Sequence, residues 1–589
     1  MFDFGENFGI LSNADINTIE VITKNDDVAI GDVFAIPSKR GYEKIFLFKC
    51  TNYSNKMRRQ GNLEDPASSL VINKESYIAN LESEKTLRVD GTLLGYVTGD
   101  FEQGFSFKKP RRVPEHFSSV YRLTSGSENM HENLKTMLKS QLEGELKIGE
   151  WLIGEDAIPI NISIPKEKLA MHIGIWGATG SGKSNLMQNI TKSFIDFNIK
   201  AILEEKSRIS LFTIDPHDEY ALGTGKHGIA NIVDLIDKYN EDFRRKLFSD
   251  FYYLTPIKSA ASDNIRRYAK EIKIGLNEIL PIDLFSIMEL SNPQVAYISS
   301  LAFKYPDEWI KQIGVDDMGY PPNTVNAAQR YLAWLNPEKS PIIVDSENSI
   351  LIDIISALER GQVLIFNSSL MDQLEQFLCV TVIARTLFEI RKAVKSSTNL
   401  DILKRQLEQR NLNKEFIRKL DKNLLEFYGK GKDKIKKVED LSPILLTIEE
   451  APSLLTPEIM KQSGNIYKSI SRQGRKFGLG LCVISQQVSA IHPSLLSQVN
   501  TQITLALGNS SEIEMAIKSS SRDISEFKSE FKVLNRGEGI LTTSYKDLPF
   551  VFKAPLYDKE FLKDEDSYKM LEHKLIPGEI KETRKREFD

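Results

Sequence analysis

The chain has 589 residues, of which 41% are hydrophobic and 27% are charged. At roughly 100–200 residues per domain this length indicates several domain-sized units, and the apolar content excludes a mainly disordered or fibrous chain. The 77 basic and 81 acidic residues nearly cancel to a formal net charge of -4, so the overall charge gives no indication of a nucleic-acid or membrane partner.

The three cysteines, Cys50, Cys379 and Cys482, lie far apart and show no metal-type spacing. That argues against a zinc site and against a disulfide framework. The N-terminus lacks the basic region and apolar stretch that mark a secretory signal, and no apolar run approaches the ~18–20 residues that span a bilayer. We therefore expect a cytoplasmic protein of a reducing compartment.

Residues 1–110 alternate short apolar runs, such as Val28–Ile36 and Ile45–Cys50, with turn residues. Several short strands at this spacing predict a small β-barrel or sandwich. Residues 111–170 are expected to hold a linker and the strands that lead into the next domain. The basic stretch Lys108-Lys109-Pro110-Arg111-Arg112 either contacts phosphates or is a solvated linker.

Residues 171–556 alternate strands with helices, which predicts an α/β core with a mostly parallel sheet and helices on both faces. Helical insertions are expected at about 221–360 and 391–440, and residues 557–589 form a charged tail. The candidate strands are short runs rich in branched apolar residues, as buried parallel strands require. They are Ile173–Trp176, Ile209–Ile214, Val363–Phe366, Ile444–Ile448 and Leu479–Ile484.

The segment 391–437 differs in composition from the rest of the chain. It carries 15 basic and 6 acidic residues, so it holds nine excess positive charges and the remainder of the chain has a net charge of -13. Such a segment could face DNA phosphates. Alternatively it is a solvated helical hairpin that packs on the body through Leu407, Phe416, Leu420 and Leu424. The sequence leaves both possibilities open.

The segment GATGSGKS fits the phosphate-loop pattern GxxxxGK[ST] at every fixed position. An apolar strand precedes it, and apolar residues recur every four positions after it, as on one face of a helix. Glycines let backbone N–H groups point at phosphates, and the helix N-terminus adds a positive dipole. Lys183 is expected to reach the β- and γ-phosphates of ATP, and Ser184 to ligate Mg²⁺. The segment consists of Gly177, Ala178, Thr179, Gly180, Ser181, Gly182, Lys183 and Ser184.

A second apolar strand, Ile444–Ile448, ends in two acids. A phosphate loop needs a partner site that holds the metal and orients the attacking water. We assign Glu449 to the Mg²⁺ shell and Glu450 to the general base. Glu449 departs from the aspartate usual on the metal side but keeps the carboxylate. Paired acids at a strand end are otherwise most often solvated, and the buried strand and the phosphate loop favour the catalytic interpretation.

The stretch SRQGRKFG follows the carboxylate strand and contains Arg472 and Arg475. On a helix these two residues share a face. Phosphoryl-transfer charge is often met by an arginine from a neighbouring subunit, and these are the candidates. The next strand ends near Gln486, where a polar side chain can sense the γ-phosphate. Without its position in the chain, the segment would be equally consistent with a solvated basic helix end.

In combination, these motifs resemble the HerA family of hexameric DNA-translocating ATPases, which is related to the FtsK pumps. The segments that carry the resemblance are GATGSGKS, LLTIEEAP, SRQGRKFGLGLCVISQQ and DPHDEY. The N-terminal β region resembles the family's HAS barrel, and residues 534–555 resemble its C-terminal strand and brace. The resemblance implies a RecA-like ATPase core, with ATP and Mg²⁺ as cofactors.

The resemblance also implies roles for individual residues. Lys183 and Ser184 would bind nucleotide and metal, and Glu449 and Glu450 would fill the metal and water roles. Gln486 would be the sensor.

For the finger that acts in trans, the resemblance implies Arg475 or Arg472. Two positions depart from the family pattern. The family usually has Gly where this chain has Asp218, and often has a basic residue before the histidine matched by His172, where this chain has Met171.

The resemblance implies two alternative functions. The first is an ATP-driven homo-hexameric DNA translocase or helicase that moves duplex DNA and works with a nuclease such as NurA, or with another effector, in DNA end processing or anti-phage defence. The second is an ATPase scaffold ring that assembles and regulates an effector, a sirtuin-type NADase or a nuclease, without processive translocation. A transporter ATPase is disfavoured because no LSGGQ-like signature is present.

Overall fold

The computed structural model describes residues 4, 7–38, 44–57, 85–100, 102–123, 128–410, 412, 416–418, 420, 425–429, 434–462 and 464–573. The described residues form two compact units. The first contains those up to Gly144, together with Ile148–Ser163 and Ile503–Ala554. The second contains Glu145–Lys147, Ile164–Gln502 and the described residues from Pro555 onward.

The strands are numbered in chain order. They are β1 Asn7–Ala14, β2 Ile19–Thr23, β3 Val33–Pro37, β4 Lys44–Met57, β5 Lys85–Asp100, β6 Gly104–Lys108, β7 Ser119–Arg122, β8 Leu146–Ile153, β9 Asp156–Ile164, β10 Ile173–Trp176, β11 Ser210–Asp215, β12 Tyr253–Thr255, β13 Ala269–Glu271, β14 Ile274–Gly275, β15 Ile343–Val344, β16 Val363–Asn367, β17 Ile444–Ile448, β18 Leu479–Ser485, β19 Thr501–Leu505, β20 Glu538–Thr543 and β21 Phe550–Lys553.

The α-helices follow the same convention. They are α1 Glu128–Met137, α2 Lys139–Leu142, α3 Lys183–Leu203, α4 Glu219–Leu222, α5 Ile229–Tyr239, α6 Glu241–Phe248, α7 Asp263–Arg266, α8 Pro281–Phe285, α9 Asn292–Lys304, α10 Pro322–Tyr331, α11 Leu351–Glu359, α12 Gln373–Lys395, α13 Leu400–Glu408, α14 Leu425–Tyr428, α15 Ala451–Leu454, α16 Pro457–Lys461, α17 Ile466–Gln473, α18 Pro493–Leu496, α19 Ser510–Ser519, α20 Lys528–Phe531 and α21 Tyr557–Lys569.

The first unit begins with an antiparallel barrel. Its strands run in the order β2-β1-β7-β3-β4-β5, and β2 also pairs with β5, which closes the barrel and leaves β6 beside β5. The interior is filled by aromatic and branched side chains, with the rings of Phe34 and Phe48 stacked 4.9 Å apart. Closure removes the free strand edges that an open sheet would expose. The predicted small barrel is confirmed.

The same unit contains a second group of strands in the order β20-β21-β8-β9. Apolar side chains of this group pack with residues that follow β19, among them Ile513, Phe527 and Phe531. Lys49 is buried in this unit and its ammonium lies 2.5 Å from the carboxylate of Glu530. A charged side chain buried this completely requires such a partner.

The second unit is built on a parallel sheet in the order β13-β12-β16-β11-β17-β18-β10. Every residue of β10, β11, β16, β17 and β18 is buried. Helices cover both faces of such a sheet, which explains why its strands are near-continuous apolar runs. The predicted α/β core is confirmed, and its five candidate strands match these five elements to within one residue at each end.

Some boundaries differ from the sequence prediction. The predicted barrel ends at residue 110, whereas β7 pairs with β1 and β3. Serine and arginine stand at the two ends of β7, so it lacks the continuous apolar run that marks the equally short β10. The predicted core extends to residue 556, whereas β20 and β21 belong to the first unit. The insertion predicted as helical at 221–360 also contributes β12 and β13 to the parallel sheet.

Within the described part of the chain, no helix is both long and apolar enough to cross a membrane. The three cysteines are free and buried.

Candidate nucleotide site

The phosphate-loop segment joins the end of β10 to the start of α3. Gly180 and Gly182 have φ values of 76° and 106°, a region that L side chains rarely adopt. An added Cβ at Gly180 would meet no atom within 4 Å, so glycine is required there by backbone conformation and not by lack of space. The 21-residue helix α3 begins at Lys183, at the end of the loop, and the N-terminus of a helix favours an anion.

Lys183 is the first residue of α3, and its side chain lies over the loop. The Nζ group donates to the carbonyl oxygens of Gly177 and Ala178, at 2.8 and 2.9 Å. Burial lowers the pKa of Lys183, and the negative charge of Glu449 opposes that shift. The ammonium group therefore contacts the phosphate-loop carbonyls and interacts electrostatically with the carboxylate of Glu449.

Parallel pairing brings the ends of the three relevant strands to one edge of the sheet. β18 lies between β10 and β17, with Trp176 opposite Ser485 and Ile448 opposite Val483. The carboxyl edge of an open parallel sheet is where ligands of α/β proteins bind. The residues that follow these strands, including those of the phosphate loop, are thereby neighbours.

The two acids at the end of β17 have different surroundings. Glu449 is partly buried and accepts a hydrogen bond from the hydroxyl of Tyr220. Burial raises the pKa of Glu449 to about 8, assisted by Asp215 and opposed by Lys183. Glu450 is exposed, has a φ of 50°, and accepts a hydrogen bond from the amide of Gln373 at 3.4 Å.

This arrangement fits a divalent cation held together with nucleotide phosphates. Burial raises the pKa of the Glu449 carboxyl group, and a bound cation would favour its charged form. Ser184 lies on the first turn of α3. Among the described residues no three His, Cys, Asp or Glu side chains form a metal-binding cluster. Mg²⁺ commonly uses one or two protein oxygens plus phosphates and water.

The loop that follows β11 contacts the same carboxyl edge of the parallel sheet. The carboxylate of Asp215 accepts from the backbone N–H groups of Glu219 and Tyr220, at 2.9 and 2.7 Å, which directs the Tyr220 hydroxyl at Glu449. Burial raises the pKa of Asp215 to about 7. Tyr220 belongs to the motif DPHDEY, and the sequence alone predicts no role for it.

Asp218 occupies a left-handed conformation, with φ of 56° and ψ of 35°, where glycine would be the least strained residue. Its carboxylate accepts a hydrogen bond of 2.7 Å from the hydroxyl of Tyr253, which accepts one of 2.5 Å from the amide of Asn367. Aspartate tolerates this conformation better than most residues. The departure from glycine is therefore accommodated by two polar side chains from β12 and β16.

Gln486 follows β18 and reaches the phosphate loop. Its Oε1 accepts a hydrogen bond of 2.7 Å from the hydroxyl of Thr179. The structure thus connects the candidate sensor directly to a loop residue.

Arg472 and Arg475 are both exposed, and within the described part of the chain neither guanidinium group forms a hydrogen bond or an ion pair. The α-helix expected to carry both ends at Gln473, and Arg475 lies in the following 3₁₀ turn, Gly474–Phe477. Gly474 permits this change because an added Cβ would lie 2.3 Å from the carbonyl oxygen of Leu479.

The basic segment 391–437 lies partly outside the described residues, including Leu424 and five of its lysines. Arg391 is fully buried and pairs with Glu359 at 2.7 Å, so it is unavailable to a ligand. Leu407, Phe416 and Leu420 are buried, whereas Arg405, Lys434 and Lys437 are exposed. The segment therefore combines a packed apolar side with exposed cations.

In the first unit, Lys108, Lys109, Arg111 and Arg112 are exposed.

Residues 146–387 match the family described as the central domain of the helicase HerA. Over these residues the chain is similar to the central domain of HerA. Because the matched region contains the complete phosphate loop, the protein is a P-loop ATPase. The match ends before Glu449. The assignment of β17 and its two acids to the site therefore depends on the geometry described above and on the similarity to relatives that align over most of their length.

Two curated relatives are similar to this chain over most of its length. A probable helicase of Methanocaldococcus jannaschii is 23% identical over 93% of this chain and 95% of its own length. The DNA double-strand break repair helicase HerA of Pyrococcus furiosus is 24% identical, with 82% of this chain and 80% of that protein covered. Among solved structures, the bacterial conjugative coupling protein TrwBdeltaN70 aligns with a TM-score of 0.41 at 12% identity, covering 71% of this chain and 91% of that one.

Proposed function

We propose that this protein is an ATP-driven DNA translocase or helicase that acts as a homo-hexamer. The observation that carries the proposal is the position of the phosphate loop, Gln486 and the acid pair at the ends of three adjacent parallel strands. In this proposal the phosphate loop binds ATP, with Lys183 at the β- and γ-phosphates, while Ser184 and Glu449 hold Mg²⁺. The ion would neutralise charge developing on the phosphates.

Glu450 is proposed as the general base that activates water. Its exposure and its position directly after the buried strand support this role, because the base must reach the water beside the γ-phosphate. Gln486 would report the γ-phosphate to the loop through Thr179. Arg475 or Arg472 would stabilise the transition state in a neighbouring copy, and their exposure without partners among the described residues supports a role toward another chain.

Duplex DNA is proposed as the substrate because the Pyrococcus relative is named as a DNA double-strand break repair helicase. The exposed cations of segment 391–437 are the candidate phosphate contacts in this chain. A partner nuclease, or another effector in DNA end processing or anti-phage defence, completes the proposal. No feature of the described residues favours the alternative of a scaffold ring that does not translocate DNA.

The test is ATP turnover with and without blunt duplex DNA, over a range of salt concentrations. We expect duplex DNA to stimulate turnover, and the stimulation to decline as salt rises because phosphate contacts release counterions. Strand displacement or triplex disruption should follow the same salt dependence. Turnover indifferent to DNA, together with no DNA binding at low salt, would contradict the proposal and leave only the ATPase.

A further inference from the structure

His172 is a buried residue to which the proposed function assigns no role. It lies directly before β10, five positions ahead of the phosphate loop, and its side chain is 3% exposed. Its backbone has φ of 59° and ψ of 142°, a combination that L residues rarely adopt. Such a conformation persists only where surrounding contacts hold it, and it is more frequent at functional sites than elsewhere.

Both imidazole nitrogens contact backbone groups of other elements. Nδ1 accepts a hydrogen bond of 3.0 Å from the N–H of Leu481 on β18. The proton of the neutral ring is therefore on Nε2, which donates to the carbonyl oxygen of Ser471 at 3.0 Å. Burial lowers the pKa of His172 to about 4, so the ring is neutral near pH 7 and its one donor and one acceptor are both used.

The carbonyl of Ser471 belongs to the residue directly before Arg472. Gly474, between the two arginines, lies against the same ring, because an added Cβ would be 3.5 Å from Cε1 of His172. The imidazole thus supports the backbone of residues 471–475, which we call the arginine segment, from the protein interior. The guanidinium groups of that segment face solvent.

We propose that His172 is a positioning residue that couples the phosphate loop of its own chain to the arginine segment offered to a neighbouring chain. The path is short and continuous: the loop, the four residues of β10, the imidazole, and the carbonyl of Ser471. A movement of the loop on nucleotide binding would be transmitted to the arginines through this path, since packed elements shift as discrete units. This inference rests on the proposed function, because it requires the arginines to act on another chain.

Two substitutions separate the two hydrogen bonds of the ring. His172→Asn keeps an acceptor near the Nδ1 position and tolerates positive φ well, but it cannot reach the carbonyl of Ser471. His172→Gln keeps a donor near the Nε2 position and loses the acceptor for Leu481. If His172 contributes only to stability, the Asn variant should be at least as active as the Gln variant. The positioning role predicts the opposite order of activity.

A matched control perturbs the same helix without touching the arginine segment. Thr381 and Tyr467 share a buried hydrogen bond of 2.6 Å that connects α12 to α17. Thr381→Val removes it. We expect this variant to unfold at a lower temperature while its kcat stays within about 3-fold of the wild type. A loss of kcat equal to that of His172→Asn would show that loosening α17 is sufficient, and would overturn the inference.

The deciding measurement is a double-mutant cycle on kcat of the assembled protein, with ATP binding followed separately. We expect His172→Asn to bind ATP normally and to lose about 10-fold or more in kcat, but to lose less than about 2-fold when Arg472 and Arg475 are both alanine. Equal losses in both backgrounds would overturn the inference. If the Asn variant fails to assemble, the Gln variant decides, because a 10-fold loss of kcat with it would contradict the proposed role.

The cycle also separates the two proposals. Wild-type turnover by the double arginine variant would refute the trans-acting arginines, and with them the premise of the inference. A large loss in the double arginine variant, combined with no effect of His172→Asn in the wild-type background, would refute only the role of His172.

Discussion

The phosphate-loop edge and the arginine segment use polar side chains in opposite ways. At the edge, the side chains bond within the chain: Lys183 to loop carbonyls, Thr179 to Gln486, and Tyr220 to Glu449. In the arginine segment the backbone is held from inside by His172, while Arg472 and Arg475 are exposed. If the proposed function holds, each chain arranges its own nucleotide-binding groups, whereas the guanidinium groups that would act on a second chain have no partner among the described residues.

The largest loss of ATP turnover is expected from a substitution at the phosphate-loop edge. Lys183→Ala removes the ammonium group that faces the phosphates, and we expect ATP turnover to fall at least about 1,000-fold. Steady-state turnover and binding of a fluorescent ATP analogue measure it. Lys200→Ala is the matched control, because Lys200 is an exposed lysine at the far end of the same helix. Normal turnover by Lys183→Ala would remove the proposed site.

The next prediction concerns Glu449 and Glu450, whose different surroundings suggest different roles. Glu450→Gln keeps the size and hydrogen-bonding capacity of the side chain but removes the base, so ATP should bind while turnover falls about 100-fold to 1,000-fold. Nucleotide affinity and single-turnover hydrolysis separate the two quantities. Glu458→Gln, an exposed acid on α16, should behave as the wild type. Unchanged hydrolysis by Glu450→Gln would assign the base elsewhere.

The third prediction concerns the arginine segment. Arg475→Ala should lower turnover about 100-fold. ATP binding should stay close to normal, because Arg475 is proposed to act on the nucleotide of a neighbouring chain and not on the one bound by its own chain. Mixing this variant with Glu450→Gln should restore part of the activity, since mixed assemblies contain sites with one intact base and one intact arginine. The same pair of measurements on Arg472→Ala decides between the two arginines. Absence of any restoration, with mixed assembly demonstrated, would argue against action in trans.

The smallest effect concerns stability and pH. The folded-state pKa of His172, about 4, lies below the unfolded value of about 6.5. The folded protein therefore binds fewer protons, and the contribution of His172 to stability is complete above pH ~6.5 and is lost as the pH falls toward 4. The difference in unfolding free energy between the wild type and His172→Asn should shrink over this range by at most about 3 kcal/mol. Denaturant unfolding of both proteins at several pH values measures it, and a constant difference would contradict the assignment.

Much of the fold could be predicted because its signals are local. The strands of the parallel sheet are buried on both faces, so each appears as an apolar run, and their positions were found to within a residue. Where a short element lacks a continuous apolar run, as in β7, β12 and β13, the strand is evident only from its pairing with neighbours. The assignment of β20 and β21 to the first unit likewise depends on contacts distant in sequence.

The phosphate loop, the acid pair, the candidate arginines and the resemblance to HerA could all be read from the sequence, because each rests on adjacent residues with a fixed spacing. The contacts between these segments could not be read from the sequence. The tertiary structure brought Gln486 to Thr179, Tyr220 to Glu449 and Tyr253 to Asp218, and it placed His172 between β18 and the arginine segment. These contacts join residues tens to hundreds of positions apart, so they arise from the strand order and parallel register of the sheet, which no local pattern specifies.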